Sequence, residues 1–379
     1  MDKRLSRLFL LATFMGLAVA GCSGPSVDEA DDVAQARSFA PLRAEVPAPV
    51  ELFSPPITAP PNTWTWINFP DAVCDDGTPT GLGVNLVPGS QDLLIFLMGG
   101  GACWDYASCA VTNTSTHGPY GSAQFDATKP LFHIGSLLDR KAATPYKGYN
   151  MVFVPYCTGD VFMGDNVVTY DNGAGASRVI HHKGRPNLVA YLNRLAATFP
   201  ALRTLVVSGS SAGGFGAALN YDLARTYFSH AQSSLIDDSG PPLIGDGIPK
   251  DLRDTWYKSW RLDKTLAPLC PDCQKDFATL LPILARKYPR DRMALLSHNQ
   301  DGVIRGFFGN QSATTFETNL YAMAATAIDP LPNFHYYFAA GSSHTFLFTP
   351  AFTVVKGVSL LSWLTQLGKN DPKWTSVKP

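Results

Sequence analysis

The sequence predicts an α/β fold in which a mostly parallel central sheet is flanked by helices. Three observations carry this. Short, continuous apolar runs alternate with helix-periodic segments, the pattern of strands buried on both faces. One run, Thr204-Leu205-Val206-Val207, leads into Gly209-Ser210-Ser211-Ala212-Gly213 and then into a helix-capable stretch from Gly214 to Ala224. Further apolar runs end just before Asp301 and His344.

Taken from the start of the chain, Lys3, Arg4 and Arg7 precede an apolar stretch from Leu8 to Ala20, which ends in Val19-Ala20-Gly21-Cys22. That stretch is too short to span a bilayer. Residues 1–21 read as a lipoprotein signal peptide and Cys22 as the lipidation site, with Ser23 pointing to the bacterial outer membrane or cell surface. Residues 22–60 read as a tether that Pro47, Pro49, Pro55, Pro56 and Pro60 stiffen. Residues 61–379 form the folded domain, large enough for one α/β unit. Lys and Arg number 30 against 31 Asp and Glu, with no basic run, so nucleic-acid binding is not expected.

Within the domain, Leu93–Leu97, Met151–Val154, Leu205–Val207, Met293–Leu296 and Phe334–Ala340 read as strands. The segments Asn187–Phe199, Phe316–Ile328 and Val354–Leu367 read as helices. Residues 241–290 break the alternation and read as a helical lid carrying Trp256, Trp260, Cys270 and Cys273. Six cysteines besides Cys22 suit disulfides in an exported protein. Cys103 and Cys109 bracket a short loop, and only Pro271-Asp272 separates Cys270 from Cys273; pairing neighbours leaves Cys74 with Cys157. Cys270-Pro-Asp-Cys273 also admits a redox or zinc reading, the latter with His181-His182 as further ligands.

Gly-x-Ser-x-Gly between strand and helix is a nucleophile elbow, which makes Ser211 the candidate nucleophile. The chain order Ser, acid, His selects His344 as base over His230, His298 and His335. Asp301, beside Gly302, is the preferred acid, with Asp238 its rival. Gly99-Gly100-Gly101 follows a strand and can expose backbone N–H groups; two of these with the N–H of Ala212 would form an oxyanion hole. Together these features describe an α/β-hydrolase-like domain.

The chain resembles the pectinacetylesterase/Notum family of serine carboxylesterases. The stretches that carry the resemblance are Cys74-Asp75-Asp76-Gly77-Thr78-Pro79, Gly99-Gly100-Gly101-Ala102-Cys103 with Cys109, Pro155-Tyr156-Cys157-Thr158-Gly159-Asp160, Gly209 to Gly214, and Asp238-Ser239-Gly240. The resemblance implies a Ser211–Asp301–His344 triad, oxyanion donors at Gly100, Gly101 and Ala212, and disulfides Cys74–Cys157 and Cys103–Cys109. It implies a structural role for Asp238 and a place near the site for Asp160. Met98 stands where family members carry a glutamate, and Trp104 follows Cys103 where plant members place a tryptophan before it. Both departures are expected to alter the pocket wall.

The expected activity is hydrolysis of acetyl or short-acyl esters, on a polysaccharide for instance, through an acyl-enzyme, without metal or cofactor. A lipase- or polyester-hydrolase-like enzyme follows if Phe346, Leu347, Phe348 and Phe352 line the pocket instead of packing in the core. A non-catalytic glycan- or lipid-binding lipoprotein is the reading from another class. A monomer tethered to the membrane through Cys22 is expected.

Overall fold

The computed structural model describes residues 55–379; the expected signal peptide, Cys22 and the expected linker up to residue 54 lie outside the described residues. The strands are β1 Thr65–Val73, β2 Pro79–Asn85, β3 Asp92–Leu97, β4 Asn150–Val154, β5 Asn166–Asp171, β6 Ser177–His182, β7 Thr204–Ser210, β8 Gln232–Asp238, β9 Arg292–His298, β10 Phe334–Ala339, β11 Val354–Val355 and β12 Val358–Ser359. The helices are α1 Ser122–Thr128, α2 Gly184–Thr198, α3 Ala212–Leu219, α4 Tyr221–Tyr227, α5 Lys250–Trp260, α6 Leu262–Thr265, α7 Leu280–Lys287, α8 Gly302–Phe307, α9 Ala313–Met323 and α10 Leu360–Gly368.

Eight strands form one sheet in the order β1-β2-β4-β3-β7-β8-β9-β10. From β4 to β10 every neighbouring pair is parallel. Their apolar runs face a core on each side, which is why they read as continuous hydrophobic stretches. β1 and β2 add an antiparallel edge that was not expected. Proline and a register slip between Phe69 and Val73 blur β1, and glycines blur β2. Gly83 has a packing reason, because a Cβ there would lie 2.2 Å from the Phe125 ring.

Two expected helices differ in detail. The stretch after Gly214 breaks at Asn220, whose amide donates to Phe162 O and Gly216 O, so that α3 and α4 are separate. Residues 354–359 form the β11–β12 hairpin, turning at Lys356 and Gly357 with positive φ, and α10 begins only at Leu360. Ile57, inside the stretch expected as linker, is buried, and its N–H donates to Thr198 Oγ1.

Both neighbour pairings of cysteine and the pair they leave over are formed: Cys103–Cys109, Cys270–Cys273 and Cys74–Cys157. The Cys270–Cys273 pair is therefore closed as a disulfide and not arranged as zinc ligands. Residues 241–290 connect β8 to β9 through α5, α6 and α7, and Trp256 stacks on Trp260 at 5.3 Å. No helix among the described residues is long and apolar enough to cross a membrane.

Parallel pairing brings the C-terminal ends of six strands to one edge. Leu97 lies opposite Gly209, Ser210 opposite Asp238, Asp238 opposite Leu296, and His298 opposite Ala339. The loops that follow these residues converge there, as open α/β sheets place their ligand sites.

Candidate active site

Ser211 sits between β7 and α3 with φ 61° and ψ −123°. A non-glycine residue there carries about 1–3 kcal/mol of strain. Close packing around it demands glycine: a Cβ on Gly213 would lie 2.0 Å from Leu97 O, and one on Gly209 2.2 Å from Gly213 O. The Ser211 N–H donates to Asp238 O at 2.7 Å, which fixes the turn from the neighbouring strand. At the start of α3 the first-turn N–H groups, that of Ala212 foremost, have no helical acceptor and carry the positive end of the helix dipole.

Asp301 is wholly buried and N-caps α8, its Oδ1 accepting from Val303 N at 2.9 Å and Ile304 N at 3.0 Å. Its Oδ2 accepts from His344 Nδ1 at 2.7 Å. This bond sets the tautomer with the lone pair on Nε2. Nε2 is buried and has no partner among the described residues, so no hydrogen bond joins it to Ser211 Oγ in this structure. Such bonds are often loose in unliganded enzymes. The two loops are tied backbone to backbone, Gln300 N to Gly341 O and Gly302 N to Ser342 O, and Asn299 Oδ1 accepts from Gly341 N.

Asp238 does not meet His344 through a side-chain hydrogen bond. Its carboxylate accepts from Ser210 Oγ at 2.7 Å and from the N–H groups of Phe346 and Leu347 at 3.0 Å. It clips the histidine loop to the serine turn. Burial raises its carboxyl, opposed by the donors from Phe346, Ser210 and Leu347. Burial also pushes the neighbouring Asp237 well up; it accepts from Gly240 N, and its Oδ2 has no partner among the described residues.

Asp160 is likewise a brace. Its oxygens accept from Thr158 Oγ1, Phe162 N, Gly164 N and Gly184 N. Burial raises its carboxyl to about 7 against those donors. They hold a turn in which Val161 and Phe162 both have positive φ, and Val161 reaches the pocket.

Gly100 and Gly101 have φ of 157° and 74°. Residues 114–116 run alongside them: Thr116 N donates to Gly100 O at 2.7 Å and Ala102 N to Thr114 O at 3.2 Å. The pairing that these two bonds flank does not use the Gly101 N–H.

Beside Ser211 opens a pocket bounded by Gly101, Ala102, Ser211 and Ala212 on one side. Ala218 and Leu219 of α3, Trp256 and Trp260 of α5, and Ile304, Phe307 and Phe308 at α8 wall it with apolar side chains. Phe277 and Leu280 add to it from the 241–290 segment. Ala102 belongs to this wall, as expected of that departure; Met98 does not, and packs between the two cores. Trp104 meets Trp256 and Phe307 edge-on. The aromatic cluster after His344 is not part of the wall: Phe346 and Leu347 are buried in the core, and Phe352 is 83% exposed. Sequence reasoning named the Trp256/Trp260 segment but missed Val161, Ala218 and Phe307-Phe308.

Among the described residues one group of potential metal ligands converges, Cys103, Cys109 and His182. The sulfurs are joined to each other. His182 Nδ1 bonds Thr158 O and its Nε2 bonds Tyr170 Oη, so the donors are already in use.

The described fold and the constellation at its edge are those of an α/β-hydrolase-like domain. The pectinacetylesterase family model matches residues 63–281, more than half of the chain, and the chain belongs to that family of carboxylesterases. It is 30% identical over 181 residues to the palmitoleoyl-protein carboxylesterase notum2 of Xenopus laevis, a match covering 48% of this chain and 35% of that one. It is 32% identical over 203 residues to notum1a of Danio rerio, with 53% and 36% covered. The matched region spans about a third of the length of these relatives. The solved structure of the Wnt deacylase Notum from Drosophila superposes with a TM-score of 0.59 at 16% identity, covering 82% of this chain and 94% of that one, a likeness of fold.

Proposed function

We propose that this protein is a serine carboxylesterase that removes an apolar acyl group from its substrate through an acyl-enzyme. Ser211 is the nucleophile. His344 Nε2 takes the Ser211 proton as Oγ attacks the ester carbonyl, and returns it to the leaving alcohol. Asp301 holds the imidazole and stabilises its charged form. The N–H groups of Gly100, Gly101 and Ala212 receive the oxyanion. Water deprotonated by His344 then releases the carboxylic acid. Asp238 and Asp160 act as scaffold.

The observation that carries the acyl reading is the apolar pocket beside Ser211. Its walls are apolar from Ser211 to α3, α5 and α8, and an acyl chain laid along them buries roughly 0.8 kcal/mol per methylene, a gain an acetyl group forgoes. This shifts the expectation from short acyl groups to longer ones, in line with the palmitoleoyl-protein substrate in the relatives' names. Export and anchoring through Cys22 complete the proposal and are tested by fatty-acid labelling that a Cys22→Ala change abolishes.

The deciding experiment is hydrolysis of p-nitrophenyl esters from acetate to palmitate, beside Ser211→Ala. A serine-dependent optimum beyond butyrate is expected. An optimum at acetate would favour polysaccharide deacetylation, the activity in the family's name. No turnover at any length would leave the lipid- or glycan-binding reading.

A further inference from the structure

The molecule contains a second carboxylate–histidine pair that does not touch the pocket. Asp75 is wholly buried, and its Oδ2 accepts from His117 Nδ1 in a close contact. Its Oδ1 accepts from Gly118 N at 2.7 Å. His117 is mostly buried, its side chain 13% exposed, and its Nε2 has no partner among the described residues.

The surroundings of this pair lead to the glycine loop from two directions. His117 directly follows Thr116, whose N–H holds Gly100 O at 2.7 Å. The Thr116 side chain fills the space over Gly100, where a Cβ would meet its Oγ1 at 2.5 Å. On the other side Arg178 Nη2 lies 3.5 Å from Asp75 Oδ2 while its Nη1 donates to Cys109 O at 2.6 Å, in the disulfide loop that starts at Cys103. Asp75 itself is fixed by its own backbone: its N–H donates to Cys157 O, its carbonyl accepts from His181 N, and the adjacent Cys74 is bonded to Cys157. The segment paired with Gly100 and Gly101 is thus tied to this carboxylate through His117, and the disulfide loop that continues from Cys103 is tied to it through Arg178.

We propose that Asp75 and His117 are positioning residues for the oxyanion loop, holding residues 114–116 against Gly100 and Gly101 so that their N–H groups keep their aim at the reacting carbonyl. This rests on the esterase reading of the site and extends it. Oxyanion donors contribute through fixed orientation, and removing a single donor in such sites costs about 10²–10³ in turnover. A loosened brace misaligns the loop without removing a donor.

The test compares His117→Asn with His117→Gln, and both with the parent protein. The Asn amide nitrogen takes the place of Nδ1 and keeps the bond to Asp75; the Gln amide reaches the Nε2 position and loses it. His117→Gln is expected to lower kcat at least tenfold with KM within twofold. It should weaken binding of an alkyl boronic acid, a tetrahedral mimic, by the same factor as kcat/KM. Amide hydrogen exchange should rise at residues 100–102 and 114–116 and stay unchanged in the sheet. His117→Asn is expected to restore all three. Equal behaviour of the two variants, or protection at residues 100–102 that does not change in His117→Gln, would overturn the proposal. A parent protein inactive on every ester would sink the esterase reading instead, and the exchange comparison would then judge the brace by itself.

Discussion

Asp301 gives its two oxygens different tasks, one capping α8 and the other holding His344. Asp301→Asn keeps an acceptor for the cap and spoils the bond that sets the imidazole tautomer. Its expected outcome is a fall in kcat of about 10⁴ with a thermal midpoint close to the parent's. Ser211→Ala should cost about six orders of magnitude in turnover, read in single-turnover assays on the folded variant. Asp237 offers a stability test. Its carboxyl is raised in the folded state by burial, so the folded protein holds a proton that the unfolded chain releases near pH 4. Folding then binds a proton, and this residue's contribution falls as pH rises from about 4 upward, by up to about 1.4 kcal/mol per unit. Asp237→Asn removes that dependence, so urea denaturation should show the variant gaining on the parent at pH 7.5 and not at pH 4.

At the scale of elements, the pocket exists because α3, α5 and α8 meet above the sheet edge without closing the gap. Ala218 is one of the small residues that keep it open. Ala218→Phe should move the chain-length optimum to shorter esters and leave acetate hydrolysis within about threefold, by steady-state assay, because it fills space away from the reacting carbonyl. The strands that place the machinery were legible as sequence because β3, β4, β7, β9 and β10 are buried on both faces. Ser211, Asp301 and His344 were legible because each lies just past such a run. The edge strands β1 and β2 and the β5–β6 hairpin were not, since proline, glycine and half-exposed alternation hide them. Neither was the pocket wall: Val161, Leu219 and Phe308 are ordinary core residue types, and only the gap among them marks a site. Asp238 was legible as a candidate, but its bonds to Phe346 and Leu347, more than a hundred positions away, belong to the fold.

For the whole molecule, the three disulfides differ in reach. Cys74–Cys157 joins residues 83 apart, while Cys270–Cys273 spans 3. By loop-closure entropy the first stabilises by roughly 4–5 kcal/mol and the second by about 1.5 kcal/mol. Paired serine replacements should therefore lower the urea-derived unfolding free energy by about those amounts, and only the first should also disturb Asp75. The clip formed by Asp238 has a different consequence. The histidine loop hangs from the serine turn on its far side, through Phe346 and Leu347, and from the acid loop on its near side, through Gly341 and Ser342. A break between Ser342 and Ser343 would leave the near-side ties with β10, and the His344 segment held through Phe346, Leu347 and its bond to Asp301. New chain ends introduced at the exposed Ser342–Ser343 bond, with the old ones joined or left free, would yield a two-piece or permuted esterase whose imidazole still finds its serine.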